Sequence, residues 1–229
     1  LDRRMHRIGE LRSAIAPIGL LTVVFTVLIV SEPDLGTSVM LASVVVAMLF
    51  TAGLKFWHLG VVAGISVAAV GALIAVAPYR MERFMRFLEG SHQLTQSFLA
   101  IGSGGLFGMG LTAGIQKLYY LPEAHTDFIF AVIGEELGLM GSTLILVSFL
   151  FFGWRGLRVA LLAPDRFGSM LAVGLTLMVA LQALVNISVV LGMLPTKGIP
   201  LPFVSAGGSS LLINLLGMGS SQQIMLEVR

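Results

Sequence analysis

The sequence predicts an all-α, polytopic membrane protein with about six transmembrane helices. Three observations carry that prediction. Only 11% of the 229 residues are charged, whereas 56% are apolar; a soluble domain carries about 25% charged residues. The apolar residues fall in runs close to the roughly 20 residues that a helix needs to cross a bilayer. No alternating strand pattern interrupts them, and backbone at membrane depth must satisfy its own hydrogen bonds, so the runs are helices. Disorder is excluded by the same composition. The absence of Cys rules out disulfides, thiolate metal sites and Cys nucleophiles, and His6, His58, His92 and His125 form no metal-spaced pair.

Six spans are expected in order: Ser13–Val30, Thr37–Gly53, Gly60–Ala77, Phe128–Phe152, Gly168–Met193 and Ser205–Met225. Residues 78–127, between the third and fourth, form a long and more polar segment. Positive charge fixes the expected orientation. Arg3, Arg4, Arg7 and Arg12 precede the first span, Lys55 follows the second, Arg155, Arg158 and Arg166 follow the fourth, and Arg229 follows the sixth. With both ends cytoplasmic, all of these lie inside. The long segment is then a large extracytoplasmic loop, and Asp127 stands at the outer membrane face. Residues 1–229 read as a single membrane domain. The start at Leu1, in Arg-rich polar sequence, reads as an N-terminal truncation of a longer protein.

The outer face collects the residues with chemistry. The stretch from Ile101 to Gly110 holds five glycines, which let backbone bend sharply, pack closely, or form a nest of N–H groups for phosphate. Close packing is the favoured reading. Glu123, His125 and Asp127 put three titratable groups directly before an apolar helix. Partial desolvation there raises a carboxylate towards general-base range, while Asp is also a good helix N-cap. Phe130 occupies the place where a capping-box partner would stand. Base and cap both stay open. Glu135 and Glu136 lie inside the fourth span, where carboxylates are functional candidates or structural ion pairs. Gln182 and Asn186, four residues apart, share a helix face, with interhelical hydrogen bonding the favoured role. Lys197 sits between prolines in a short outer loop, suited to a phosphate or to a lipid headgroup. Arg80, Arg83 and Arg86 share a broad face if helical, for lipid phosphates or for a specific pyrophosphate.

Several motifs together resemble the shape, elongation, division and sporulation (SEDS) family. They are His125-Thr126-Asp127-Phe128-Ile129-Phe130-Ala131, Gly134-Glu135-Glu136-Leu137-Gly138, Pro33-Asp34-Leu35-Gly36-Thr37, Gln96-Ser97 with the glycine run, and Pro200-Leu201-Pro202-Phe203 with Gly207-Gly208-Ser209-Ser210. They cover most of the chain in the family's order. Pro195-Thr196-Lys197-Gly198 and Tyr120-Leu121-Pro122-Glu123-Ala124 are similar to the division and sporulation branch. The family pattern has Gln and Tyr where this chain has Glu32 and Ala206.

The resemblance implies the last six helices of a ten-helix fold and a peptidoglycan glycosyltransferase in the bacterial inner membrane, at the division septum. Its substrates are lipid II and the glycan carried on undecaprenyl pyrophosphate. Its partners are a class B penicillin-binding protein and other division membrane proteins. Asp127 matches the family's catalytic carboxylate. Lys197, Arg80, Arg83 and Lys117 are the candidate cations for the leaving pyrophosphate, with Glu123, His125 and Ser209 as further substrate contacts. Glu135, Glu136, Gln182 and Asn186 are structural or cavity residues. No cofactor is certain, and a divalent cation (Mg or Mn) is the one candidate. A lipid II flippase or transporter and a non-catalytic division scaffold are the rival functions. Composition leaves no room for a soluble nucleic-acid binder.

Overall fold

The computed structural model describes residues 16–32, 34–90, 92–115, 123–196 and 198–227. Among these there are eight helices and no strand. They are α1 (Ala16–Ser31), α2 (Leu35–Thr51), α3 (Phe56–Val76), α4 (Pro78–Glu89), α5 (His92–Gly104), α6 (Ile129–Leu162), α7 (Arg166–Val190) and α8 (Gly208–Glu227). Each of the six expected spans contains a long helix among the described residues. The 21 residues of α3 rise about 31 Å, the thickness of a hydrocarbon core. Its Val61, Ile65 and Val67 are exposed, as side chains facing lipid should be.

The helix ends differ from the expected spans in one instructive place. Arg155 and Arg158 were expected in a loop after Phe152, but both lie within α6, which runs on to Leu162. Arg is a good helix former, and its long stem carries the charge from a helix end to the membrane surface. The segment 78–127 also contains helices rather than open loop. Between Pro78 and Gly104 it folds as α4 and α5, with α4 carrying Arg80, Glu82, Arg83, Arg86 and Glu89.

The chain separates into two compact units. One comprises Leu1–Pro78, Arg155–Met178 and Met218–Arg229. In it α1 packs on α2 and α2 on α3, around Leu49 and Leu54 with Ile18, Val45 and Leu59. A second cluster joins Ala160, Ala172, Val173 and Ile224. The other unit comprises Tyr79–Trp154 and Val179–Gly217. Its core gathers Ala100, Phe128, Phe130, Ala131, Val132, Ala183, Ile187, Val190 and Leu201. Every candidate site residue the structure describes belongs to this second unit.

Within that unit α6 is broken. Gly138 leaves the helix with φ 65° and ψ −160°, a conformation open to glycine and strained for other residues. The break frees backbone groups at membrane depth, where each must find a partner. The glycine run supplies them. The N–H groups of Met109 and Gly110 donate to the carbonyls of Glu135 and Glu136 at 3.0 Å each. Leu139 N–H donates to Gly105 O at 2.9 Å, and Met140 N–H to Leu106 O at 3.2 Å. The approach is so close that a Cβ on Gly104 would collide with the carbonyl of Gly134, and one on Gly108 with that of Glu136. The glycine run is therefore a packing device. The Met109 and Gly110 donors, which a phosphate nest would need, are already engaged by α6.

Candidate functional site

The site is built around the turn that leads into α6. Glu123 opens it in the left-handed region, with φ 55°. Its carbonyl then accepts from three successive N–H groups, those of Thr126, Asp127 and Phe128, at 3.2, 3.1 and 3.3 Å. Phe128, 2% exposed, anchors the end of the turn in the core. Asp127, between the exposed Glu123 and the buried Phe128, is half-buried.

The Asp127 carboxylate makes no hydrogen bond to the first turn of α6 among the described residues, so it does not act as the helix cap. Burial pushes its pKa above the ordinary carboxylate value, and the charge of Glu123 pushes in the same direction; Arg83 opposes both. Glu123 also holds Thr126 Oγ1, which donates to its Oε2 at 2.9 Å. Gly198 lies directly against Asp127: a Cβ there would stand 3.3 Å from Oδ2. Glycine at 198 leaves room beside the carboxylate.

Arg83 connects the carboxylate with a cleft. A cavity of about 490 Å³ is lined by Arg83, Arg86, Phe87, Glu89, Gly90, His92, Gln93 and Thr196. Arg86 is paired with Glu82 one turn earlier on α4 at 2.5 Å. Arg80 turns to its neighbour instead, donating from Nε to Tyr79 Oη at 2.7 Å. Of the three arginines expected to share a face, Arg83 and Arg86 line the cleft. Lys117 and Lys197 lie outside the described residues. His125 and Ser209 are exposed.

Glu135, 1% exposed, accepts Ile115 N–H at Oε1 at 2.9 Å. It ties the loop after the glycine run to the helix break. Glu136 is half-buried. Among the described residues, Gln182 and Asn186 bond to backbone carbonyls and not across to another helix. Gln182 Nε2 donates to Pro200 O at 2.9 Å, and Asn186 Nδ2 donates to the carbonyls of Asp127 and Ile199 at 2.8 Å each. Ser205, which the sequence marks only as the first of a run of small residues suited to close packing, donates to Thr126 O at 2.5 Å and accepts Leu201 N–H at 2.7 Å. A Ser in a run of small residues carries no signal of such a bond. The departure at Ala206 does not touch this framework, because Ala206 contributes its backbone N–H, to His125 O at 3.0 Å. Among the described residues no three His, Asp or Glu side chains gather to hold a metal ion.

These features define a class: an all-helical, multi-pass membrane protein with a half-buried carboxylate beside a basic cleft. Comparison with known proteins gives the family. The model of the FtsW, RodA and SpoVE cell cycle proteins matches residues 2–229, and the chain belongs to that family, the SEDS family expected from its motifs. It is 44% identical over 213 residues to the probable peptidoglycan glycosyltransferase FtsW of Alkalilimnicola ehrlichii, covering 89% of this chain and 53% of that protein. It is 42% identical to the stage V sporulation protein E of Bacillus subtilis, covering 96% of this chain and 62% of the relative. A solved structure described as a peptidoglycan synthase complex that coordinates polymerization and crosslinking matches with TM-score 0.78 and 25% identity, over 98% of this chain and 66% of that one. The chain thus spans between half and two thirds of the length of the curated relatives named here.

Proposed function

We propose that the protein is a peptidoglycan glycosyltransferase that polymerises lipid II, with Asp127 as its general base. The observation that carries this reading is the state of Asp127: half-buried, free of cap hydrogen bonds, and with its proton affinity raised by burial and by Glu123. A base is most useful when its pKa is drawn towards the working pH. The names of the FtsW relatives support the reaction class, and the synthase-complex neighbour supports a cross-linking penicillin-binding protein as partner.

In the proposed reaction Asp127 takes the proton from the 4-hydroxyl of the acceptor lipid II sugar as that oxygen attacks the anomeric carbon of the donor chain. The bond from that carbon to the pyrophosphate breaks, and undecaprenyl pyrophosphate leaves with the bonding electrons. One displacement without a covalent intermediate inverts the anomeric configuration. The growing negative charge on the leaving group is stabilised by fixed cations. Arg83 is the described cation nearest in effect to Asp127, with Arg80, Lys117 and Lys197 as further candidates. The work is done at the outer membrane face, at the division septum, beside a class B penicillin-binding protein.

The broken α6 is the feature a transporter reading would draw on. Four backbone groups around the break, the carbonyls of Glu135 and Glu136 and the N–H groups of Leu139 and Met140, are already paired with the glycine run, which argues for a fixed structural break. The test uses the intact protein in detergent with its penicillin-binding partner and labelled lipid II, comparing wild type with Asp127→Asn on a gel. Glycan ladders that vanish with Asp127 support the reading. Ladders from both keep the enzyme and remove the base. Lipid II bound but never polymerised by either moves the function to transport or scaffolding.

A further inference from the structure

We infer that Asn186 and Ser205 are positioning residues for Asp127, holding its turn against the loop between α7 and α8; the inference rests on the general-base reading above. Neither side chain touches the carboxylate. Both act on the backbone that carries it.

Three successive carbonyls of the turn are captured from one side. His125 O accepts from Ala206 N–H at 3.0 Å, Thr126 O from Ser205 Oγ at 2.5 Å, and Asp127 O from Asn186 Nδ2 at 2.8 Å. The loop is captured by the same groups. Asn186 Nδ2 also donates to Ile199 O at 2.8 Å, and Ser205 Oγ also accepts from Leu201 N–H at 2.7 Å. Gln182, one turn earlier on α7, adds a bond to Pro200 O at 2.9 Å.

The chemistry of the amide fixes its orientation. Two carbonyl oxygens require two N–H donors, and the Asn amide nitrogen carries two. The flipped amide would set oxygen against both. Asn186 is 1% exposed, and its neighbour in sequence, Ile187, belongs to the core of this unit. In such surroundings hydrogen bonds are strong and their loss strands polar groups without water. A helix-borne amide is a rigid anchor, so the place of the carboxylate relative to Gly198, against its Oδ2, is set from α7. Misplacing a catalytic group by about 1 Å costs on the order of a hundredfold in rate.

The test uses the intact protein with its partner and labelled lipid II, normalised to folded protein by size-exclusion chromatography. Asn186→Leu keeps the volume and removes both donors. Its kcat should fall by about a hundredfold with KM little changed. Its acid limb should move to lower pH, because a loosened turn lets water reach Asp127, on which Glu123 and Arg83 are the charged groups that act. Ser205→Ala should fall in the same direction and Ser205→Thr, which keeps the hydroxyl, should recover. If Asn186→Leu does not fold, the Ser205 pair decides alone. Wild-type kcat and an unmoved acid limb per folded molecule, with Asp127→Asn inactive, overturn the positioning role and leave the base intact. Activity in Asp127→Asn removes the base, and the positioning role falls with it.

Discussion

Two aspartates in this chain precede apolar helices, and the structure uses them in opposite ways. Asp34 leads into α2. Its Oδ1 accepts Thr37 N–H at 3.0 Å and its Oδ2 accepts the Thr37 hydroxyl at 2.5 Å. It is a helix cap with both oxygens engaged on the same residue. Asp127 leads into α6 and engages neither oxygen with its helix among the described residues. The buried amide of Asn186 and the hydroxyl of Ser205 secure the backbone instead. A cap ties up a carboxylate; a turn held by its carbonyls leaves the carboxylate available. On the proposed reading, the difference between stabilising a helix and serving as a base lies in which atoms of the same residue type are occupied.

The largest effect should come from neutralising each carboxylate in turn. Asp127→Asn should reduce lipid II polymerisation by about 10²–10⁴-fold, the range of a lost general base. Asp34→Asn keeps an acceptor for Thr37 and should polymerise close to the wild-type rate. Equal losses in the two variants would break the comparison.

Stability should respond in the reverse order. Asp34→Ala removes a cap and should cost about 1 kcal/mol in thermal or chemical unfolding of the detergent-solubilised protein. Asp127→Asn should cost nothing at neutral pH. The folded pKa of Asp127 is raised, so the stability linked to its proton is fully present below the unfolded value and is lost as pH rises through the folded value. At neutral pH the ionised group is a burden on the fold, and the amide relieves it. A midpoint for Asp127→Asn unchanged or higher than wild type sharpens the contrast. A drop as large as that of Asp34→Ala would make Asp127 a cap.

The smallest effects are shifts of the acid limb. Glu123→Gln removes a like charge from beside Asp127, lowering its pKa and moving the limb of kcat/KM to lower pH. Arg83→Gln removes the opposing cation, raising the pKa and moving the limb to higher pH. Shifts of the same sign would place the titration on another group.

The helical spans were legible because an apolar run is a local property. The residues of α3 announce their length without reference to any neighbour. The asymmetry between the two aspartates was half legible: Thr37 stands three residues after Asp34 as a ready donor, whereas Phe130 stands three after Asp127. The break in α6 was not legible, since Gly138 becomes necessary only when Gly105 and Leu106 arrive to pair with Leu139 and Met140. Nor was the clamp. Asn186 and Asp127 are 59 residues apart, and an Asn on an apolar helix reads first as a bond to another helix. Its partners prove to be carbonyls, which every residue carries and no sequence pattern marks.

The most direct test of the central claim is the pH dependence of kcat/KM for lipid II polymerisation by the intact protein, with Glu123→Gln alongside. The account predicts an acid limb raised from the ordinary aspartate value, moved to lower pH by that substitution. A rate that stays flat down through the ordinary carboxylate range, or a limb indifferent to Glu123, would contradict it.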